Sequence, residues 1–323
     1  MNETPHPPEE PRAPGATRPV LAAYPNRETR LGHLPIQRAL PRRERRLVGP
    51  WCFLDRFGPL AFANEKPMDV PPHPHIGLQT VSWLLEGEVL HTDSLGCEAV
   101  VRPGGVNVMS AGRGISHAEQ TPPSASGRPN NRLSGIQLWV ALPDAVRNME
   151  PSFSGIAETP AFEPRGGLVR VFAGALGGVR SPAPHFSPLI GADVQVHPAS
   201  EVEIELDPSF EHGLLLLEGE CLFEGQPLTA GTLYVLAPGH SSAAFSSPPG
   251  GRLLLIGGPP WGEPLFSGEI LMWWNFVART PEEIAEARAD WEAHRRFGEV
   301  LGYSKPRLSA PELTRIARPN PLS

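Results

Sequence analysis

The chain has 323 residues, a net charge of −7, 40% hydrophobic residues and 20% charged residues. This balance is typical of a soluble globular protein, and the negative charge argues against a general nucleic-acid-binding surface. No apolar run reaches the ~18 residues that a membrane helix needs. The N-terminus lacks the basic-then-apolar order of a secretory signal peptide, and three scattered cysteines are too few for a disulfide framework. We therefore expect a cytoplasmic protein without membrane attachment.

Short apolar segments between turn residues make up most of the chain. Residues 1–18 are polar and rich in proline, which predicts disorder, and residues 305–323 are predicted to form a loosely docked tail. The 40 prolines and 33 glycines indicate many turns and few long helices. The segments predicted as strands include residues 79–85, 135–142, 201–206, 214–219 and 252–256. This spacing is typical of an all-β sandwich or barrel.

One segment near the C-terminus carries a helix signal. Thr280 can cap the helix, Pro281 suits its first turn, and Glu282 and Glu283 follow as early acidic residues. The pattern predicts a helix from this point to about Phe297.

An internal repeat divides the chain into two similar halves. The string Leu-Leu-Glu-Gly-Glu at residues 84–88 returns at 216–220, and the turn-rich segment at 103–112 has a counterpart at 230–239. The two matches are collinear, with offsets of 132 and 127 residues. We interpret this as a duplication of one β-domain.

Two histidine-containing pairs are the candidates for chemistry. His73 and His75 are separated by one residue, as are His117 and Glu119. Side chains at positions i and i+2 of a strand point to the same face. Two such pairs on facing strands would therefore bring three imidazoles and one carboxylate to one point. This ligand set suits iron, manganese, nickel, copper or zinc and leaves coordination positions open.

The sequence around these pairs resembles the pirins, a branch of the cupin superfamily. The resemblance includes His73 and His75 with Gly77 and Thr80, and a glycine-rich run that ends in His117 and Glu119. The other matching segments are residues 48–50, 53–59, 84–88, 91–96, 102–104, 137–143, 262–264 and 275–284. The match is dense over residues 46–155 and thinner over 185–300.

This resemblance implies an all-β fold of two tandem cupins with a C-terminal helix. The implied domains are a metal-binding cupin at residues 19–155 and a cupin plus helix at 156–304. It assigns one divalent transition metal, iron first and otherwise nickel, manganese, copper, cobalt or zinc. The implied ligands are His73, His75, His117 and Glu119. Pirins are often monomers, so we expect a monomer.

Two positions depart from the pirin pattern, because Arg56 replaces a histidine and Gln79 a glutamate found in many members. We expect both side chains near the pocket, where they would alter its polarity. In the second copy, the repeat offsets equate the four ligands with Glu205, Asp207, Ala244 and Ser246. We therefore expect the C-terminal cupin to lack a metal, with residues 214–217 as core. His212 and His240 could form a site there only in an unusual geometry.

Several other side chains keep two interpretations. His91 either orients a metal ligand or lies on a surface strand. Trp83 and Trp139 either form apolar pocket walls or belong to the core. Trp273 and Trp274 either stack on a flat ligand or pack against the first domain, and Arg113 either contacts an anion or caps a turn.

Three functions follow from the resemblance. In the first, the chain is a quercetin 2,3-dioxygenase-type enzyme that acts on a flavonol-like enol, a small aromatic substrate, with Glu119 as general base. In the second, it is a metal- or redox-dependent transcriptional co-regulator. It would then bind a protein partner, not nucleic acid directly, through a patch such as Arg42, Arg43, Arg45 and Arg46. In the third, the metal only stabilises a scaffold.

Overall fold

A computed structural model describes residues 22–32, 34–61, 67–122 and 132–313. Within these ranges the fold is all-β with one α-helix, so the predicted fold class is confirmed. The disorder predicted for residues 1–18 lies outside the described residues. No helix in the described ranges is long and apolar enough to cross a membrane.

The first half of the chain forms a two-sheet cupin. Its large sheet has the order β12-β9-β6-β11-β4-β3-β2, and its small sheet has the order β5-β10-β7-β8. The strands are β2 (Arg27–Leu31), β3 (Leu34–Leu40), β4 (Trp51–Ala61), β5 (Asp69–His75), β6 (Leu78–Glu86), β7 (Val89–Asp93), β8 (Glu98–Val101), β9 (Val106–Ser110), β10 (Ile115–Gln120), β11 (Arg132–Ala141) and β12 (Ser152–Ile156).

The second half repeats this arrangement. Its large sheet has the order β1-β21-β18-β23-β16-β14-β13, with β15 paired to β14, and its small sheet has the order β17-β22-β19-β20. The strands are β1 (Ala22–Pro25), β13 (Ala161–Phe162), β14 (Gly167–Leu176), β15 (Val179–Arg180), β16 (Ile190–Val196), β17 (Ser200–Glu205), β18 (Glu211–Gly219), β19 (Leu222–Phe223), β20 (Gln226–Pro227), β21 (Thr232–Leu236), β22 (Ser242–Ser247) and β23 (Gly251–Gly258).

The topology supports the repeat found in the sequence. The two Leu-Leu-Glu-Gly-Glu strings lie at the ends of β6 and β18, which occupy equivalent places in the two large sheets. Each large sheet also takes its last strand from the segment that precedes the other cupin. β1 pairs with β21 of the second sheet, and β12 pairs with β9 of the first. The first half therefore supplies an edge strand to the second sheet, and β1 lies there although residues 19–155 were assigned to the first cupin.

One cluster of buried hydrophobic residues is shared by the two cupins. Trp83 stacks on Phe172 of the other half at 5.0 Å, and its indole N–H donates to the buried carboxylate of Asp193. Trp83 is thus core and not pocket wall. Arg45 forms an ion pair with Glu211, and Arg42 donates to the carbonyl of Pro25. Two of the arginines considered as a partner-binding patch are therefore engaged in contacts within the chain.

The C-terminal segment returns to the first cupin. It contains β24 (Leu271–Trp273), β25 (Phe276–Ala278) and α1 (Pro281–Glu292). The Thr280 side chain accepts from the backbone N–H of Glu283, as predicted. The helix ends at Glu292 and not near Phe297, because His294 and Arg296 take positive φ angles of 56° and 71° that a helix cannot continue through.

Residues 305–313, part of the predicted loosely docked tail, make specific contacts with the first cupin. The Leu308 N–H donates to the Pro72 carbonyl at 2.9 Å, and the Leu308 carbonyl accepts from the indole of Trp291 at 2.8 Å. Lys305 also forms an ion pair with Asp69. The segment thus lies against β5, the strand that carries two candidate ligands. Residues 314–323 lie outside the described ranges.

Candidate metal centre

The candidate ligands lie on two neighbouring strands of the small sheet in the first cupin. His73 and His75 are on β5, and His117 and Glu119 are on β10. The strands pair antiparallel, with His117 opposite His73 and a register shift between His117 and Glu119. The two strands that carry these pairs are therefore adjacent in one sheet and do not come from opposite sheets. Their alternation directs all four side chains into the barrel, where all four are buried.

Each imidazole has its Nδ1 atom occupied by a hydrogen bond. His73 Nδ1 is 2.9 Å from the Pro71 carbonyl oxygen, and His75 Nδ1 is 3.0 Å from that of Asn275. A carbonyl only accepts, so both rings carry their proton on Nδ1 and have a bare Nε2. The sequence did not predict Asn275 as a partner, because it lies 200 residues from His75.

The third imidazole is held by another histidine. His117 Nδ1 lies 3.3 Å from His91 Nδ1, and His91 Nε2 lies 3.1 Å from Asp93 Oδ2. Asp93 also accepts from the backbone N–H groups of Leu95 and Cys97. Burial acts to raise its pKa, but the hydrogen bonds from His91, Cys97 and Leu95 lower it. We assign an ionised Asp93, a His91 that donates through Nε2, and a His117 that donates through Nδ1. Of the two interpretations of His91, the structure supports the orienting role.

Because each Nδ1 carries the proton, each of the three rings has an unprotonated Nε2 atom that can bind a metal. His75 Nε2 and His117 Nε2 are 3.1 Å apart, although neither carries a proton to share. That separation suits two ligands of one ion at bond lengths of about 2.0–2.1 Å. In the described part of the chain, His73, His75 and His117 are the group of potential ligands whose donor atoms all lie within 4.8 Å of one another. The residues present therefore fit a transition-metal ion.

Burial keeps these rings neutral, as ligation requires. It lowers the pKa of His73 to about 4, and it lowers the pKa values of His75 and His117 well below their ordinary range. Metal binding therefore displaces few protons from the folded protein at neutral pH.

Glu119 lines the same cavity but stands apart from the triad. Its carboxylate is not part of the 4.8 Å group, and burial raises its pKa. The Ser82 hydroxyl lies 3.2 Å from Glu119 Oε1 and 2.9 Å from Gln137 Oε1. Because this hydroxyl has a single proton, it donates to one oxygen at a time. A protonated Glu119 can then donate to Ser82 while Ser82 donates to Gln137.

The cavity that contains the histidines has a volume of about 410 Å³. Its walls are mainly apolar and include Phe53, Trp139 and Trp274. Trp139 therefore forms part of the cavity wall, and Trp274 lies where it could stack on a flat ligand. The described residues that line the cavity are Leu31, Ile36, Arg38, Pro41, Phe53, Asp55, Phe57, Met68, Val70, His73, His75, His117, Glu119, Gln137, Trp139, Met272, Trp274, Asn275 and Leu308.

The expectation that Arg56 and Gln79 lie near this cavity is wrong. Arg56 donates to the carbonyl of Leu217 in the second cupin. Gln79 donates to Ser110 and to the Pro184 carbonyl. Both point away from the site, so these two departures from the pirin pattern affect the contact between the halves. Arg113 forms an ion pair with Glu150 at the surface.

The second barrel has hydrocarbon side chains at the inward positions that correspond to the ligands. His117 pairs with His73 in the first small sheet, and Ala243 pairs with Ile204 in the second. The inward-facing set of the second barrel is Ile204, Leu206, Ala243 and Phe245, all of them buried. The counterparts predicted from the repeat offsets, Glu205, Asp207, Ala244 and Ser246, are not among these buried positions, because a one-residue slip moves a side chain to the other face of a strand. The predicted core run at residues 214–217 is confirmed.

Comparison with known proteins agrees with this architecture. Pirin matches residues 33–140, and the Pirin C-terminal cupin domain matches residues 191–298. The chain belongs to the pirin family. A Pseudomonas aeruginosa relative named "Putative quercetin 2,3-dioxygenase PA1205" is 43% identical over 283 residues, which cover 87% of each chain. A "Pirin-like protein" of Caulobacter vibrioides is 37% identical and covers 82% of this pirin and 90% of its own length.

A solved structure of quercetin 2,3-dioxygenase from Acinetobacter baumannii is similar over nearly the whole chain. It has a TM-score of 0.84 and 42% sequence identity, and the alignment covers 92% of this pirin and 97% of that chain.

Proposed function

We propose that the chain is a metal-dependent dioxygenase of the quercetinase type, with His73, His75 and His117 as ligands and Glu119 as fourth ligand and base. The observation that carries this proposal is the convergence of three bare Nε2 atoms inside an aromatic-walled cavity. The names of the relatives support the reaction class. We propose iron as the metal, since imidazole and carboxylate ligands with open positions suit it.

The cavity supports a flat aromatic substrate. Phe53 and Trp139 stack face to face with ring centroids 4.0 Å apart, and Trp139 meets His75 edge-on at 5.2 Å. A planar flavonol could lie against this wall with its enol oxygens directed at the three imidazoles. A volume of about 410 Å³ lies within the usual range for small-molecule sites.

Glu119 is proposed to take the proton of the substrate's 3-hydroxyl group. The Ser82 hydroxyl with Gln137 can stabilise the protonated form of Glu119 by the relay described above. The bound ion would supply Lewis acidity and redox chemistry with dioxygen. One flavonol and one dioxygen would give one ring-opened ester acid and one carbon monoxide, so no external reductant is needed.

The test measures metal content, oxygen uptake and carbon monoxide release during incubation with quercetin. We expect one metal per chain, and equimolar loss of quercetin and dioxygen with formation of carbon monoxide. Glu119→Gln should lower kcat at least about a hundredfold, since general base catalysis contributes about 10²–10⁴-fold. Glu203→Gln on an exposed position of the second small sheet is the matched control. A metal-loaded protein that leaves quercetin intact would contradict the proposal.

A further inference from the structure

A largely buried ion pair lies in the wall of the cavity that contains the three histidines. Arg38 on β3 donates from Nε and Nη2 to the two carboxylate oxygens of Asp55 on β4, at 2.8 and 2.7 Å. Both residues line the cavity. Asp55 is buried, whereas the Arg38 side chain remains 25% exposed. The carboxylate of Asp55 therefore holds the guanidinium in place, and the Arg38 side chain forms part of the cavity wall.

A continuous aromatic wall connects this guanidinium to the metal ligands. Arg38 lies over the Phe53 ring at 4.6 Å. Phe53 stacks on Trp139, which in turn contacts His75. A flat molecule that rests on this wall would have the imidazoles at one end and Arg38 at the other.

Arg38 also differs in kind from the rest of the lining. Among the described residues around the cavity, it is the one lysine or arginine. Its fork to Asp55 uses Nε and Nη2, so Nη1 has two further N–H groups for an acceptor. Because the pair holds the guanidinium in place, a ligand would pay little rotamer entropy to use it.

We propose that Arg38 is a specificity-determining residue that binds an oxygen acceptor of the substrate, remote from the metal-binding enol. The inference rests on the proposed function and adds a second anchor to it. Hydroxylated or carboxylated flavonols would satisfy both anchors. A flavonol without a remote oxygen substituent would satisfy only the metal.

The experiment compares quercetin with 3-hydroxyflavone, which keeps the enol but has no other hydroxyl group. Dissociation constants are measured on zinc-loaded protein without oxygen, and kcat and KM on the active enzyme. Removing Arg38 alone would leave Asp55 buried without a partner, so the main variant combines Arg38→Met with Asp55→Leu. A separate single variant, Arg38→Lys, is measured beside it. Arg102→Met removes an exposed arginine–glutamate pair of the same cupin as a matched control.

We expect the double variant to lose about tenfold or more of the preference for quercetin over 3-hydroxyflavone, mainly in Kd and KM, with 3-hydroxyflavone changed less than about threefold. Arg38→Lys should lose part of the preference for quercetin, because lysine keeps the positive charge but cannot make the two parallel hydrogen bonds to Asp55. A preference unchanged in both variants would overturn the inference and leave the dioxygenase proposal intact. Wild-type protein that binds neither flavonol would overturn both. Binding without turnover would contradict the dioxygenase proposal alone, since the dissociation constants still report on Arg38.

Discussion

The two barrels of this chain share one topology and differ in what they enclose. In the first, inward positions of the small sheet carry three imidazoles and a carboxylate beside a cavity of about 410 Å³. In the second, the corresponding positions carry Ile204, Leu206, Ala243 and Phe245, which pack into an apolar core. His73 lies opposite His117 in the first small sheet, and Ile204 lies opposite Ala243 in the second. The difference shows that the cupin framework does not require polar residues inside.

The second half nevertheless contributes to the first cavity. After β23 the chain returns and supplies Trp274, Asn275 and Leu308 to the wall. Asn275 fixes the ring of His75, and Leu308 is hydrogen-bonded to β5 through Pro72. One barrel thus provides the candidate ligands, and the segment that follows the other barrel contacts His75 through Asn275 and the strand β5 through Leu308.

Loss of one ligand in the first barrel should have the largest effect. We expect His75→Ala to reduce bound metal and turnover to background, because two imidazoles remain and the Asn275 carbonyl loses its donor. Metal analysis and quercetin turnover check this, with the exposed His197→Ala as control. Full metal occupancy in His75→Ala would refute the assignment of the triad.

The corresponding change in the second barrel should affect stability and not chemistry. Phe245→Ala removes a fully buried ring that packs with Phe223. We expect it to lower the free energy of unfolding by about 3–5 kcal/mol while metal content per folded chain stays the same. Urea denaturation followed by metal analysis of the native fraction would check both. Loss of metal with no loss of stability would contradict the assignment of metal binding to the first barrel.

The smallest effect should come from the residues behind His117. His91→Phe removes the acceptor for His117 Nδ1 but can retain the stacking that His91 makes on Phe153 at 4.3 Å. We expect metal affinity to fall about 10–100-fold, the loss typical when a residue that orients a ligand is removed. A competition titration with a chelator measures it. An unchanged affinity would show that His91 only fills space.

The sequence predicted which candidate side chains share a face because strand alternation is a local rule. His73 and His75 must share a face, and so must His117 and Glu119, wherever their strands lie. The repeat likewise predicted two similar domains. The counterparts in the second copy were wrong because the spacing between matched segments differs between the copies, and an error of one residue exchanges inward and outward faces.

The rest of the site depends on contacts between distant parts of the chain. The partner of His75 is 200 residues away, and Leu308 comes from a segment predicted as a loose tail. Arg38 and Asp55 are 17 residues apart on neighbouring strands, in a pairing that only the folded sheet defines. Arg56 and Gln79 were misplaced for the same reason, since their partners lie in the second half.

The most direct test is a crystal structure of the protein purified with its metal, with anomalous diffraction data at the absorption edge of that metal. We expect one peak in the first barrel, within about 2.0–2.3 Å of Nε2 of His73, His75 and His117, and no peak in the second barrel. A peak bound through Nδ1 atoms, a peak in the second barrel, or the absence of metal beside the triad would contradict the account.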